Sequence, residues 1–377
     1  EDPEREDLLY AGTDFGLFVS FDDGADWQPL QQNLPVTPIT DIRIHRGDLV
    51  LSTMGRGFWI IDNLSPLRQL TAETMQADRH LFAPAPAMRT RYDDTPGGYS
   101  PSTAGPDYPE PGADLDLYLA EEPDRPIALD VLTADGDVVR RLVGVPADSA
   151  KRAEALSEER PMMAPGPERT TADTVQVHAG HNRIRWDLRY PGPTPEAEGE
   201  QTYFGAGAGP LVVPGRYEVR LSAGGSTQTQ PLTVTMDPRV QADGVSRADL
   251  QAQLDLNLQI RDAIGTARAT AQAVDSMRTR LAQAIEAGTV DAETMQDTRQ
   301  ALDDLHRGLS TSTEGSYPPP MLIDQLEYLY YQTLSADQRP GQDAADRYEA
   351  LQQELDRLRN RWQELQATID LPETTSP

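Results

Sequence analysis

Residues 20–27 read Ser-Phe-Asp-Asp-Gly-Ala-Asp-Trp and bring a hydroxyl, three carboxylates and an indole together around one glycine. Clustered carboxylates of this kind can hold a cation or move a proton. The same residue types also close tight turns, because Asp and Ser side chains bond nearby backbone N–H groups and glycine takes positive φ. A second chemical candidate is His178 with His181 in "VHAGHN". Their spacing suits a metal pair, but a turn between two strands is the reading we adopt. The run "GAGAGP" at 205–210 is glycine-rich, yet no lysine-bearing helix follows, so it reads as a flexible loop and not a phosphate cradle.

The other carboxylate pairs, Asp93/Asp94, Glu121/Glu122 and Asp303/Asp304, read as solvated surface in so acidic a chain. Asp135-Gly136-Asp137 lacks the rest of a calcium loop and reads as a hairpin turn. Glycoside hydrolysis needs two carboxyl groups facing across a cleft, which adjacency in sequence does not supply. The motifs HExxH, GxSxG, GxGxxG and the P-loop are missing from the sequence. The expectation is therefore no catalytic residue, no metal site and no cofactor in this chain.

The elements that would position these residues fall into four stretches. Residues 1–74 contain "LLYAGT", "GLFVSF", "ITDIRIH", "DLVLSTM" and "GFWIID", short β-branched and aromatic runs separated by Gly, Asp, Asn and Pro. They read as an all-β meander long enough for about one and a half to two propeller blades, each needing four strands. Residues 75–113 are dense in Pro, Gly, Ser and Asp and read as a surface linker.

Residues 114–240 return to alternation: Val175/Val177, Ile184/Trp186/Leu188 and Tyr217/Val219/Leu221 fall two apart, on one face of half-buried strands. The pattern suits a small β-sandwich with two polar excursions, at 145–173 and 191–215. Residues 241–377 read as helices. Ser246 and Asp249 form an acidic capping box, Gly288 and "STEGSYPPP" are breaks, and Leu351, Leu355, Leu358, Trp362 and Leu365 make a heptad-like seam. Helices with one apolar face must cover one another, so an antiparallel bundle is expected.

Of the 377 residues, 61 are acidic and 33 basic, a net charge of −28, and Lys151 is the single lysine. This balance suits a salt-adapted protein and gives no basic stripe for nucleic acid. Cysteine is absent, which excludes disulfides and thiolate metal sites. No run of about 18 apolar residues is present, so no membrane span is expected. The sequence starts at Glu1 without an initiator methionine, and we read it as a fragment or processed form.

The spacing Ser20-x-Asp22-x-Gly24-x-x-Trp27 resembles the Asp-box, or BNR repeat, of sialidase-type and sortilin-type β-propellers. The resemblance implies a structural hairpin between two strands of a blade. In it Asp22 would accept turn N–H bonds, Ser20 would bond within the turn, Gly24 would take positive φ and Trp27 would pack into the blade. "DLVLSTMGRGFWIIDNLSPLRQL", "GHNRIRWDLRYPG" and "VPGRYEVRLSAGGSTQTQPLTVTMDPRV" are similar to the last blades and the following sandwich of exported bacterial proteins labelled glycosyl hydrolase-like or sortilin-related. Met54 stands where those proteins often carry His, which argues against a catalytic role for Gly55-Arg56-Gly57.

The resulting expectation is a multidomain β-plus-α chain: terminal propeller blade(s), an Ig/Fn3-like sandwich and a C-terminal helical bundle. It implies a non-catalytic structural and interaction region of an exported protein, with carbohydrate or protein as partner and the remainder of a propeller beside it. The alternatives are part of a sialidase-like glycoside hydrolase whose catalytic blades lie mostly elsewhere, and a sortilin-like peptide receptor.

Overall fold

The computed structural model describes residues 1–91, 111–146, 173–193, 207–312 and 318–369. It mixes several β-sheets with helices toward the C-terminal end. The chain divides into two compact units, Glu1–Leu188 with Pro214–Met236, and Arg189–Val213 with Asp237–Pro377.

The first unit opens with two three-stranded antiparallel meanders. One is β1 (Leu9–Thr13), β2 (Gly16–Ser20) and β3 (Gln28–Pro29); the other is β4 (Ile39–His45), β5 (Asp48–Thr53) and β6 (Phe58–Ile61). Alternation decides what each face does. Leu49 and Leu51 of β5, with Ile42, Ile44, Trp59 and Ile61 on the same face, join Leu17, Leu34 and Leu64 in one apolar core. A short helix, α1 (Ser65–Gln69), follows, with a proline in its first turn where no N–H partner is lost. The chain start is tied to it: Arg68 bonds both carboxylate oxygens of buried Asp2 at 3.0 Å, and Arg5 donates to the carbonyls of Leu67, Arg68 and Leu70.

After helix α2 (Ala72–Gln76) come β7 (Arg79–Leu81) and β8 (Ala87–Arg89). Both lie in the stretch read from sequence as linker, and both belong to sheets; residues 92–110 of that stretch lie outside the described residues. The remaining strands are β9 (Ala113–Leu119), β10 (Ile127–Thr133), β11 (Val138–Pro146), β12 (Asp173–Val177), β13 (Gly180–Trp186), β14 (Gly215–Ala223) and β15 (Ser226–Met236). They form a six-stranded sheet, β12-β11-β10-β14-β15-β8, and a three-stranded sheet, β13-β9-β7.

Trp186 of the small sheet meets Tyr217 of the large one edge-on, with ring centroids 6.0 Å apart. Strand β7 is stitched to the large sheet by glutamine amides: Gln228 donates to the Arg79 carbonyl and accepts from Leu81 N–H, and Gln230 donates to the Leu81 carbonyl. Side chains thus satisfy backbone groups that no strand reaches. The excursion at 145–173 falls almost entirely outside the described residues.

In the second unit α3 (Pro238–Ala242) precedes four longer helices, α4 (Arg247–Glu286), α5 (Gln296–Leu309), α6 (Leu322–Leu334) and α7 (Gln342–Thr368). Ser246 and Asp249 make the reciprocal capping box at the start of α4. The apolar stripes of all four helices share one core, from Ile260 and Val274 through Leu305 and Leu326 to Leu355 and Trp362. Arg268 of α4 and Glu327 of α6 form a buried ion pair at 2.7 Å.

The excursion at 191–215, read from sequence as an exposed part of the sandwich, falls with the helical unit as far as Val213, within Arg189–Val213. Tyr330 donates to the Ala208 carbonyl at 2.9 Å, and Leu211, Val212 and Val213 are buried. The "GAGAGP" stretch is packed where it is described. A Cβ on Gly209 would lie 1.6 Å from the Tyr190 carbonyl oxygen, so glycine here serves close backbone approach and not flexibility. No helix among the described residues is long and apolar enough to cross a membrane.

Candidate functional site

The acidic turn sits between β2 and β3. Ser20 is fully buried at the end of β2, where its hydroxyl donates to Asp22 Oδ1 at 2.7 Å and accepts from Gly24 N–H at 2.9 Å. Asp22 Oδ1 also accepts from Asp26 N–H at 2.9 Å. The Asp26 N–H first, then the Ser20 hydroxyl, holds the Asp22 carboxyl below the ordinary carboxylate range. Asp23 and Gly24 both take positive φ, at 57° and 87°. Asp22 is thus occupied by the turn itself.

Trp27 departs from the packing that the resemblance implies. It is 42% exposed, its indole N–H reaches back to the Gly24 carbonyl at 3.1 Å, and it is not among the residues of the core. The tryptophan that packs against the core is Trp59 in β6. The β5–β6 turn repeats the clasp with different residues: Trp59 Nε1 donates to the Arg56 carbonyl at 3.1 Å, and Thr53 Oγ1 donates to the Gly57 carbonyl at 2.7 Å and accepts from Arg56 N–H at 3.2 Å. The two meanders therefore share a turn plan, a hydroxyl at the end of the second strand and an indole N–H bonded to the carbonyl three residues earlier.

A polar cluster lies on the small sheet and was not found from sequence. Alternation in "DLDLYL" puts Leu115 and Leu117 on one face and Asp114, Asp116 and Tyr118 on the other. Register then pairs Tyr118 with His181, Asp116 with Arg183 and Asp114 with Arg185. Asp116 is buried and accepts from His181 Nε2 at 2.9 Å, Arg183 Nε at 2.8 Å and Asn63 Nδ2 at 3.3 Å. Arg183 also donates to the carbonyls of Asp62 and Asn63. Burial tends to lower the Arg183 pKa, but Asp116 and Asp114 outweigh it and raise it. A His–Asp pair can serve proton transfer. Here Asp116 is shared with a guanidinium and an amide that fix the chain at 62–63, so the cluster works as a clamp. Alternation was the legible signal; the register that gathers the partners is a long-range property.

His178 and His181 do not converge. The His178 ring meets the carbonyl of Ala179, while His181 turns to Asp116. Asn182 ties their turn by bonding His178 N–H and the carbonyls of His178 and Gly180. His80 lies across Phe82 from His181, and burial lowers its pKa. Asp135-Gly136-Asp137 is the β10–β11 turn, closed by Thr133 N–H to the Asp137 carbonyl at 2.8 Å. Asp303 and Asp304 pair with Arg278 and Arg307, and Asp93/Asp94 lie outside the described residues. No group of three His, Cys, Asp or Glu side chains among the described residues is placed to hold a metal.

Two further features bear on function. Each buried carboxylate among the described residues, Asp2, Asp116, Asp130, Asp237 and Glu327, is paired with arginine. The second meander has an apolar face turned away from its core: Ile60 stands opposite Val50 and Phe58 opposite Ser52, and Phe58 and Ile60 are 79% and 56% exposed. Met54, in the adjoining turn, is 68% exposed, and Asp41 and Arg43 rim the face from β4. No protein-family model, curated protein or solved structure matches this chain.

Proposed function

We propose that residues 1–74 are terminal blades of an exported Asp-box β-propeller, that 114–240 contribute an Ig/Fn3-like sandwich, and that the chain is a non-catalytic structural and interaction region. The observation that carries this reading is the uncovered apolar face of β4-β5-β6. A soluble protein seldom leaves Phe and Ile side by side on an open sheet with an unpaired edge strand, unless another element covers them. A further blade is the occupant that suits it, because the other face of the same sheet is already buried against a meander with the same turn plan. The arginine pairing of the buried carboxylates supports a non-catalytic reading over a glycoside hydrolase, which needs two carboxyls free to face substrate.

The test uses an environment-sensitive dye such as bis-ANS on the intact chain in high salt. Saturable binding is expected, and Phe58→Ser/Ile60→Ser should remove most of it with little change in melting temperature, since both side chains are exposed. Dye binding that the double substitution leaves intact would show that this face is not an uncovered interaction surface, and the reading would fall with it.

A further inference from the structure

The helical unit contains a groove of about 1050 Å³ along one side of α6, and all its lining residues are described. The lining positions run from Asp324 to Thr333, at helical spacing, over ~14 Å of helix. The walls are Pro318 and Pro320, just before α6, and the start of α7 with the loop before it, through Pro340 and Arg347. The volume is at the upper end of small-ligand sites, which run to about 1,000 Å³.

Hydrogen bonds preform this groove. Gln325 donates to the Pro320 carbonyl at 2.6 Å and accepts from Arg347, linking both walls through α6. Met321 N–H bonds Thr311 Oγ1 at 2.8 Å and ties the two ends of the α5–α6 connection. Gln253 of α4 closes the floor by donating to the carbonyls of Thr333 and Ala336. A site held in this way loses little entropy when a ligand enters.

The lining selects the ligand class. Tyr328 presents an aromatic ring, and Gln332 and Gln338 present amides that both donate and accept. An apolar ligand would strip water from these amides and leave them unpaired, which costs more than it gains. An anionic ligand would meet Asp324 and Asp343, against the single lining cation Arg347 that already bonds Gln325, in a molecule of net charge −28. A neutral polyhydroxyl chain meets all the requirements: its C–H face stacks on the ring, and its hydroxyls exchange donor and acceptor roles with amides and carboxylates. Recognition of a polyproline peptide favours a groove lined with several aromatics, whereas Tyr328 is the one aromatic side chain among the described lining residues. We propose that this groove is a carbohydrate-binding site for a short neutral oligosaccharide. It lies in the helical unit and stands independently of the reading given to the first unit.

Calorimetric titration of the intact chain with cellotriose, chitotriose and maltotriose tests this, with decaproline as the peptide probe. At least one trisaccharide should bind at millimolar or lower concentration. Tyr328→Ala should weaken it about tenfold, the loss expected for one stacking contact, and Tyr328→Phe should preserve it. Gln338→Ala, on an exposed loop residue, gives a second variant should the first fail to fold, and it should also weaken binding. Binding of none of the trisaccharides, binding indifferent to both alanine variants, or binding of decaproline instead would each overturn the assignment.

Discussion

Asp130 answers to two guanidinium groups, and this sets its response to pH. It is buried mid-strand in β10, with Arg141 across one ladder at 2.6 Å and Arg220 across the other at 3.2 Å. Burial alone would raise its pKa, but the two arginines outweigh burial and hold it below the ordinary 3.8. A carboxyl depressed on folding stabilises fully above its unfolded value, and that stability is lost as pH falls through the lower folded value. Asp130→Asn should cost about 1–2 kcal/mol at neutral pH, a modest figure because both arginines are partly exposed. In urea unfolding from pH 8 downward, the difference from the parent should stay constant to about pH 5 and shrink below about pH 4. A difference that persists undiminished in acid would rule out the ion pairs as its source. At the acidic turn, Ser20→Ala removes a buried hydroxyl that bonds Asp22 and Gly24, at an expected cost of about 1–2 kcal/mol. Gly24→Ala forces a side chain into positive φ at about 1 kcal/mol. If both leave the unfolding midpoint unchanged, the turn does not hold β2 to β3.

Helices α4 and α6 meet through a charged pair within their shared core, Arg268 with Glu327. Two charges taken out of water repay that cost through their mutual attraction together with the other hydrogen bonds they make, and either one left alone is a buried uncompensated charge. Arg268→Met or Glu327→Leu alone should destabilise the chain by about 3–5 kcal/mol, and the double variant should recover most of that loss. Additive losses in the double-mutant cycle would show that the pair is not coupled. Nothing in the sequence flags this pair, because each residue lies within its own helix and only packing brings them together. The helices themselves were readable, since Leu351, Leu355 and Trp362 recur at steps that one face of α7 can bury, and Ser246-x-x-Asp249 marks a helix start by local bonds alone. Strands with clear alternation were readable too, among them β13 with Ile184 and Trp186 on one face. Strands β7 and β8 were not: three residues are too few for a period, and the glutamines that hold β7 come from about 150 positions away. The same limit hid Asp116, whose alternation was visible but whose partners Asn63, His181 and Arg183 depend on register and on a chain crossing. Local chemistry of the Ser20–Trp27 turn could be read from spacing, but the position of Trp27 could not, because its burial depends on what lies over the turn.

The whole chain carries 28 more negative than positive charges, and its response to salt follows from that excess. The exposed acids outnumber the arginines that pair them, so in dilute buffer like charges repel across the surface and the folded state bears more of this repulsion than the expanded one. At 0.01 M salt the screening length is about 30 Å, long enough for charges on different elements to interact, and at 1 M it is about 3 Å. Screening should remove most of the repulsion and only slightly weaken the buried pair at Glu327, while the half-exposed arginines that pair Asp116 and Asp130 lose somewhat more. The melting temperature should therefore rise by several degrees between 0.01 M and 1 M NaCl. Ionic screening separates from solute exclusion by comparing NaCl with sulfate, which also strengthens apolar burial: screening saturates by about 1 M in either salt once ionic strength is matched, whereas exclusion keeps climbing and is larger in sulfate. Scanning calorimetry in both salts decides the matter. A melting temperature that falls with NaCl would mean that surface ion pairs such as Arg307–Asp304 and Arg357–Glu354 outweigh the net charge. The acidic surface would then be no adaptation to salt.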